Sequence, residues 1–233
     1  MKNKFLISLS LSLFALSSAH AAPPIQPKAA GIESSDYVWD AQSSEETQLL
    51  KMKGDPARGQ IAYQGCQGCH KPDASGRPDG TYPQLAGQHT SVLIKQMSDI
   101  REGRRDNQKM YPFAGKHVVD TQEVADIAAY INSLPLPGNN DKGPGNDLVR
   151  GKMLYEQDCV VCHGERGEGH AGKFYPATAG QHYRYLVHQV VAIRDGNRRN
   201  ANPKMVKAVK DYSASDIDAV ADYISRIELP KKN

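Results

Sequence analysis

The chain has 233 residues, room for two small domains or one of medium size. Its 29 Lys and Arg against 26 Asp and Glu, with no basic stripe, exclude a nucleic-acid-binding footprint. Beyond the first 21 residues no stretch is apolar and long enough to cross a bilayer, which excludes a polytopic membrane protein.

Residues 1–21 read as a secretory signal peptide. Lys2 and Lys4 form a basic start, a serine-broken apolar run follows, and Ala19-His20-Ala21 fits a small-x-small cleavage site. The expected location is the periplasm; retention of the leader as an uncleaved anchor is the alternative. Taking Lys2 and Lys4 away leaves 27 basic residues against 26 acidic, a nearly neutral product. In an oxidising space the four cysteines must be bridged, metallated or otherwise consumed.

Residues 22–53 form an N-terminal extension. Residues 22–43 are polar with scattered prolines and are expected to be ill-ordered. Residues 44–53 can form a short helix that ends at Gly54, and Trp39, the only tryptophan, is expected to pack on a surface.

From residue 54 the chain holds two copies of one unit. Cys159 follows Cys66 by 93 residues, and the same offset relates YPQLAGQH at 82–89 to YPATAGQH at 175–182. It also relates IREGRR at 100–105 to IRDGNR at 193–198, and VADIAAYI at 124–131 to IDAVADYI at 217–224. Upstream of each motif, ARGQIAYQGC resembles VRGKMLYEQDC with one residue inserted. The units span 54–134 and 148–233, and PLPGNNDKGPGND at 135–147 is a Pro/Gly-rich linker between them.

Each unit reads as all-α. Asp55 with Pro56 opens a first helix, and Asn146 or Asp147 opens its counterpart. A middle helix over 90–102 closes at Gly103, and its twin closes at Gly196. Asp120 with Glu123, and Ser213 with Asp216, have capping-box spacing before the last helices. Val124, Ile127, Ala128 and Ile131 then share one helix face, as do Ile217, Val220, Ala221 and Ile224. The 19 residues between His70 and the middle helix make a long loop for so small a unit, so something besides side chains is expected to fill its centre.

CQGCH at 66–70 and CVVCH at 159–163 use all four cysteines. C-x-x-C-H is the attachment pattern of a c-type haem. Two thiols one helical turn apart add across the two porphyrin vinyl groups, and the histidine after the second is carried beneath the iron. A shared structural zinc or a redox dithiol would accept any residue after the second cysteine, whereas histidine stands there twice. Two covalent haem c groups are therefore expected, on Cys66 and Cys69 and on Cys159 and Cys162, with His70 and His163 as proximal ligands.

For the opposite axial position the candidates are Met110 and Met205. They stand in NQKM and NPKM, 40 and 42 residues after their histidines. Met97 has Val190 as its counterpart and reads as a core residue, Met52 lies outside the repeats, and Met153 lies on the attachment side. His89 and His182, paired at the same offset, are rival ligands, though helix capping is their simpler role. His117, His170 and His188 have no histidine counterparts and are expected to be solvated. Carbonyls at Pro83 and Pro176 can hold the proximal rings through Nδ1. Arg101, Arg105, Arg194 and Arg198 can neutralise haem propionates or simply end helices.

In combination the two CxxCH units, the YPxLAGQ loop, the IRxGxR segment, the late methionines and the closing DIAAYI helix resemble the dihaem cytochrome c4 family. The resemblance covers about residues 54–228. It implies two tandem class I cytochrome c lobes related by pseudo-twofold symmetry, with propionate edges facing each other. It implies His70 and Met110 on one iron, and His163 and Met205 on the other. It further implies a periplasmic electron carrier that works between a quinol-oxidising complex or dehydrogenase and a terminal oxidase or reductase. Ala177 and Thr178, in place of Gln84 and Leu85, depart from the pattern. Two other roles compete: a dedicated electron acceptor of one periplasmic dehydrogenase, such as a thiosulfate-oxidising enzyme, and a dihaem peroxidase.

Overall fold

The computed structural model describes residues 24–228; the leader read over 1–21 lies outside the described residues. The first helix, α1 (Ser44–Lys51), belongs to the extension. One lobe then contains α2 (Pro56–Ala62), α3 (Gln67–His70), α4 (Thr90–Arg101), α5 (Tyr111–Ala114) and α6 (Thr121–Ser133). The other contains α7 (Leu148–Leu154), α8 (Val160–His163), α9 (Tyr183–Arg194), α10 (Pro203–Val209) and α11 (Ala214–Arg226). Among the described residues no strand forms, only an isolated bridge between His170 and Tyr175.

Local chemistry explains the helix ends. Asp55 accepts from the backbone N–H groups of Ala57 and Arg58, with Pro56 in the first turn. In the second lobe Asp147 does the capping, through Arg150 N. Asp120–Glu123 and Ser213–Asp216 both form reciprocal capping boxes. Gly103 and Gly196 end α4 and α9 in the left-handed region, at φ 77° and 73°.

The terminal helices of each lobe cross where one carries a glycine. A Cβ on Gly59 of α2 would lie 2.0 Å from the Asp126 carbonyl of α6, and one on Gly151 of α7 would lie 2.1 Å from that of Ala219 in α11. Paired tyrosines flank the crossings: Tyr63 with Tyr130 at 5.5 Å and Tyr155 with Tyr223 at 5.6 Å between ring centroids. The predicted apolar faces of α6 and α11 are the buried ones.

The residue inserted before the second motif has a defined place. Residues 63–66 form a 3-10 turn leading into α3, whereas 155–159 form a π-helical turn leading into α8. Widening one turn absorbs the extra residue and leaves the following CVVCH helix in register.

Two features differ from the sequence reading. Residues 24–43, expected to be ill-ordered from their polarity, run as a defined path of turns against both lobes, held by long-range hydrogen bonds that composition does not encode. His89 and His182 stand at helix N-caps but make no capping hydrogen bond. Their rings reach into the opposite lobe instead. The linker wraps the second lobe, where Asn140 donates to the Gln181 and Ser225 carbonyls and Gly145 N donates to Asp222.

The candidate haem sites and the seam between them

Each motif places its two thiols one turn apart on a helix that ends at the histidine. The two histidine rings are oriented in the same way. His70 Nδ1 lies 3.3 Å from the Pro83 carbonyl and His163 Nδ1 lies 3.0 Å from that of Pro176. A carbonyl only accepts, so Nδ1 carries the proton and Nε2 keeps its lone pair, the tautomer a metal requires. Burial holds both imidazoles below their usual pKa, opposed by the same carbonyl bond. Burial also pushes the Cys66 thiol up to about 11 and that of Cys159 up to about 12. A dithiol redox centre needs the opposite shift.

Met110 and Met205 occupy equivalent local settings. Met110 stands at the N-cap of α5, where its N–H meets both the carbonyl and the side-chain oxygen of Asn107. Met205 lies in the first turn of α10, which Asn202 caps through Lys204 N. An asparagine three residues before each methionine thus bonds the backbone at the start of the local helix, Asn107 to Met110 N and Asn202 to Lys204 N. Cys66 lines a cleft with Phe113, Val118 and Val119, so the segment following Met110 faces the attachment cysteine. Met97 packs against the first core. His117, His170 and His188 are exposed.

The rival ligands are engaged elsewhere. His89 Nε2 is 2.7 Å from the Glu168 carbonyl, and His182 Nε2 is 2.7 Å from that of Ser75. His182 Nδ1 also accepts from Asp141 N at 3.0 Å. The preceding glutamines work in the same reciprocal way. Gln88 bonds both the N–H and the carbonyl of Ala177, and Gln181 bonds both those of Gln84. Each of these contacts across the lobe boundary has its mate 93 residues along, the Asp141 bond within the second lobe apart, so the lobes meet through an isologous, pseudo-twofold seam.

At one end of that seam two guanidinium groups converge. Arg105 donates to Gln96 and Gln189 at 2.9 and 3.4 Å, and Arg198 donates to the same two oxygens at 3.0 and 2.8 Å. Among the described residues neither arginine has a carboxylate partner. Desolvation, then the neighbouring Arg105, pulls Arg198 down to about 10. Burial would raise the Tyr185 phenol, yet Arg105 and Arg198 draw it below its usual value. Two half-buried guanidinium groups drawn together without a carboxylate are costly and call for an anion. The other two arginines have carboxylate partners, Arg194 with Asp195 at 2.7 Å and Arg101 with Glu45 at 2.9 Å, the latter keeping its Nε and Nη1 buried without a hydrogen-bond partner. The donor chemistry fits haem c: paired thiols, an imidazole with a free Nε2, and a cationic seam suited to propionates. The sequence reading missed Gln96, Gln189 and Tyr185; the 93-residue pairing of the two glutamines was the available signal.

The cytochrome c family profile matches residues 56–135 and again 148–228. The chain belongs to the dihaem cytochrome c4 family. It is 34% identical over 195 residues to cytochrome c4 of Azotobacter vinelandii, covering 76% of this chain and 91% of that one. A thiosulfate dehydrogenase electron acceptor of Stutzerimonas stutzeri strain A1501 is also 34% identical, over 77% of this chain and 90% of its own. The crystal structure of reduced recombinant cytochrome c4 from Pseudomonas stutzeri superposes with a TM-score of 0.67 at 28% identity, over 75% of this chain and all of that one. As a dihaem cytochrome c4, the chain carries two covalently bound haem c groups and transfers electrons.

Proposed function

We propose that this cytochrome is a periplasmic one-electron carrier whose two irons are each closed on both faces, so that it performs no substrate chemistry of its own. Cys66 and Cys69, and Cys159 and Cys162, hold the porphyrins. His70 with Met110, and His163 with Met205, are the axial pairs. Bound haem iron supplies a one-electron couple. The chain orients the imidazoles through Pro83 and Pro176, excludes water, and places Arg105 and Arg198 where propionate charge needs compensation. The observation that carries the reading is the repeated Nδ1–carbonyl bond, which fixes the ligating tautomer identically in both lobes. In domain terms, a leader at 1–21 and an extension at 22–53 precede lobes at 54–134 and 148–233, with the linker at 135–147.

Its partners are redox proteins: a quinol-oxidising complex or dehydrogenase as donor, and a terminal oxidase or reductase as acceptor. The likeness to a thiosulfate dehydrogenase electron acceptor supports a second reading, in which one periplasmic dehydrogenase is the donor. Purified protein should show c-type bands and a methionine–iron charge-transfer band, and should keep its colour through acid and organic solvent. Stopped-flow reduction by a thiosulfate dehydrogenase, compared with a quinol-oxidising complex, separates the two donors. Peroxide turnover, or carbon monoxide binding by native reduced protein, would overturn the closed-iron assignment.

A further inference from the structure

The extension lies outside the residues that the cytochrome c profile matches, yet it is built into both lobes. Gln26 is 6% exposed. Its Nε2 donates to the carbonyls of Ile100 and Arg105 at 2.7 and 2.8 Å, and its Oε1 accepts from Asn107 N at 2.9 Å. Asn107 in turn holds the N–H of Met110. Ala29 N donates to the Gly103 carbonyl at 3.2 Å. The approach there is so close that a Cβ on Gly103 would sit 1.8 Å from the Pro27 carbonyl.

Three residues later the segment grips the other lobe. Ile32 N donates to the Arg199 carbonyl at 2.8 Å. The Arg199 guanidinium reaches back to the carbonyls of Gly103 and Ala29 and to Glu33. Trp39 then stacks on Tyr175 of the second lobe at 5.8 Å, while Lys95 of the first lobe lies 5.3 Å from its ring centre.

The chain returns to the first lobe through α1, where Leu49 enters the core. Glu46 pairs with Arg104 at 2.7 Å, and Arg104 pairs with Asp99 at 2.7 Å. Asp99 also takes Lys95 at 3.0 Å and Asn200 of the second lobe at 2.8 Å. Glu46, Lys95 and Asp99 are each no more than 1% exposed, so this charge network is sealed between the extension and both lobes.

The segment is therefore fastened to the first lobe at both ends and to the second in between. The two loops it ties, 100–107 and 193–200, are those that carry Arg105 and Arg198 and lead to Met110 and Met205. We propose that residues 26–51 are an interlobe clasp that positions the Arg105–Arg198 seam and the Met110 loop, with Gln26, Trp39 and Arg199 as its positioning residues. The inference rests on the haem-ligand assignment above. A role as a docking tail for a partner is disfavoured because the polar groups of Gln26 and the faces of Trp39 are already spent inside the molecule.

The test uses mature holoprotein carrying Gln26→Ala, Arg199→Gln or Trp39→Ala, with Trp39→Phe as the conservative control. Tryptic cleavage after Lys28 should accelerate about tenfold or more in the first three, because the clasp opens locally. Calorimetry should then resolve two lobe transitions where the parent shows one, and the gap between the two reduction potentials should shift. Trp39→Phe should restore parental behaviour. Where a variant does not mature, a protease site inserted between the exposed Ser35 and Asp36, cut after maturation, opens the clasp in folded protein. Unchanged proteolysis overturns the proposal, as does release of the segment with melting and both potentials unchanged. Absence of the methionine–iron band from the parent would instead defeat the ligand assignment, and the melting and proteolysis results would still decide the clasp.

Discussion

His182 of the second lobe donates through Nε2 to the carbonyl of Ser75 in the first, at 2.7 Å, and is 1% exposed. Its Nδ1 accepts from Asp141 N, so the ring is neutral, with both nitrogens committed to backbone. Its pseudo-symmetric mate, His89 to Glu168, crosses the same boundary in the other direction. A histidine repeated at equal offset thus serves lobe docking, and neither ring is free to approach an iron.

Burial depresses the His182 pKa, with the Ser75 carbonyl opposing, so the separated or unfolded ring binds a proton first as pH falls. Stability is full above the unfolded value of about 6.5 and declines below it until the folded ring also titrates, by at most about 1.4 kcal/mol per pH unit. His182→Ala should cost about 1–3 kcal/mol at neutral pH, because the Ser75 carbonyl and Asp141 N–H lose their partner. It should also flatten the decline between pH 6.5 and 5, the histidine window. Denaturant unfolding of holoprotein across that range measures both effects; an unchanged slope would remove His182 as its source.

Gly151 has no room for a side chain where α7 crosses α11. Gly151→Ala drives a methyl group into the Ala219 carbonyl, and Gly59→Ala does the same against Asp126. Each should destabilise its own lobe by about 1–3 kcal/mol or more, since helix axes must move apart. Thermal unfolding followed at the haem absorbance should show a lower midpoint in either variant.

The helices were legible because caps and apolar spacing are local signals. So was the proximal ring arrangement, since Pro83 and Pro176 each lie 13 residues beyond their histidine. Other features depended on distant partners. Arg101 and Arg105 look alike in sequence, and only the position of Glu45, in the extension, separates the buried, carboxylate-paired arginine from the seam arginine. Residues 24–43 carry no periodicity, because they bind through hydrogen bonds to carbonyls far away in sequence, as Gln26 does to Ile100. A repeat shows that His89 and His182 are equivalent, and says nothing of what they touch.

Arg105 and Arg198 should tune both haems, whereas Arg194 should not. Removing a seam cation by Arg198→Gln leaves propionate charge less compensated, which favours the ferric state and lowers the potentials. Arg105→Gln should act in the same direction. Arg194→Gln removes a charge already paired with Asp195 and should leave both potentials near parental values. Spectroelectrochemical titration compares the three; equal effects from Arg194 and Arg198 would detach the seam from the haems.

The proposed axial roles of Met110 and Met205 can be tested lobe by lobe. Asn107 accepts from the backbone N–H of Met110 and Asn202 caps α10 through Lys204 N, so truncating either methionine to alanine leaves these backbone bonds in place. Each single variant should lose about half of the methionine–iron band and the double variant all of it, with a fall in potential confined to the altered lobe, because thioether ligation raises the potential. Met97→Leu serves as the control. Met97 packs in the first core and has Val190 in its place in the second lobe, so a ligand role there could not be shared by both haems. A full band in Met110→Ala would assign that iron another ligand. His89 could supply it only by giving up the Glu168 carbonyl, so loss of the His89 contact would then have to accompany the result.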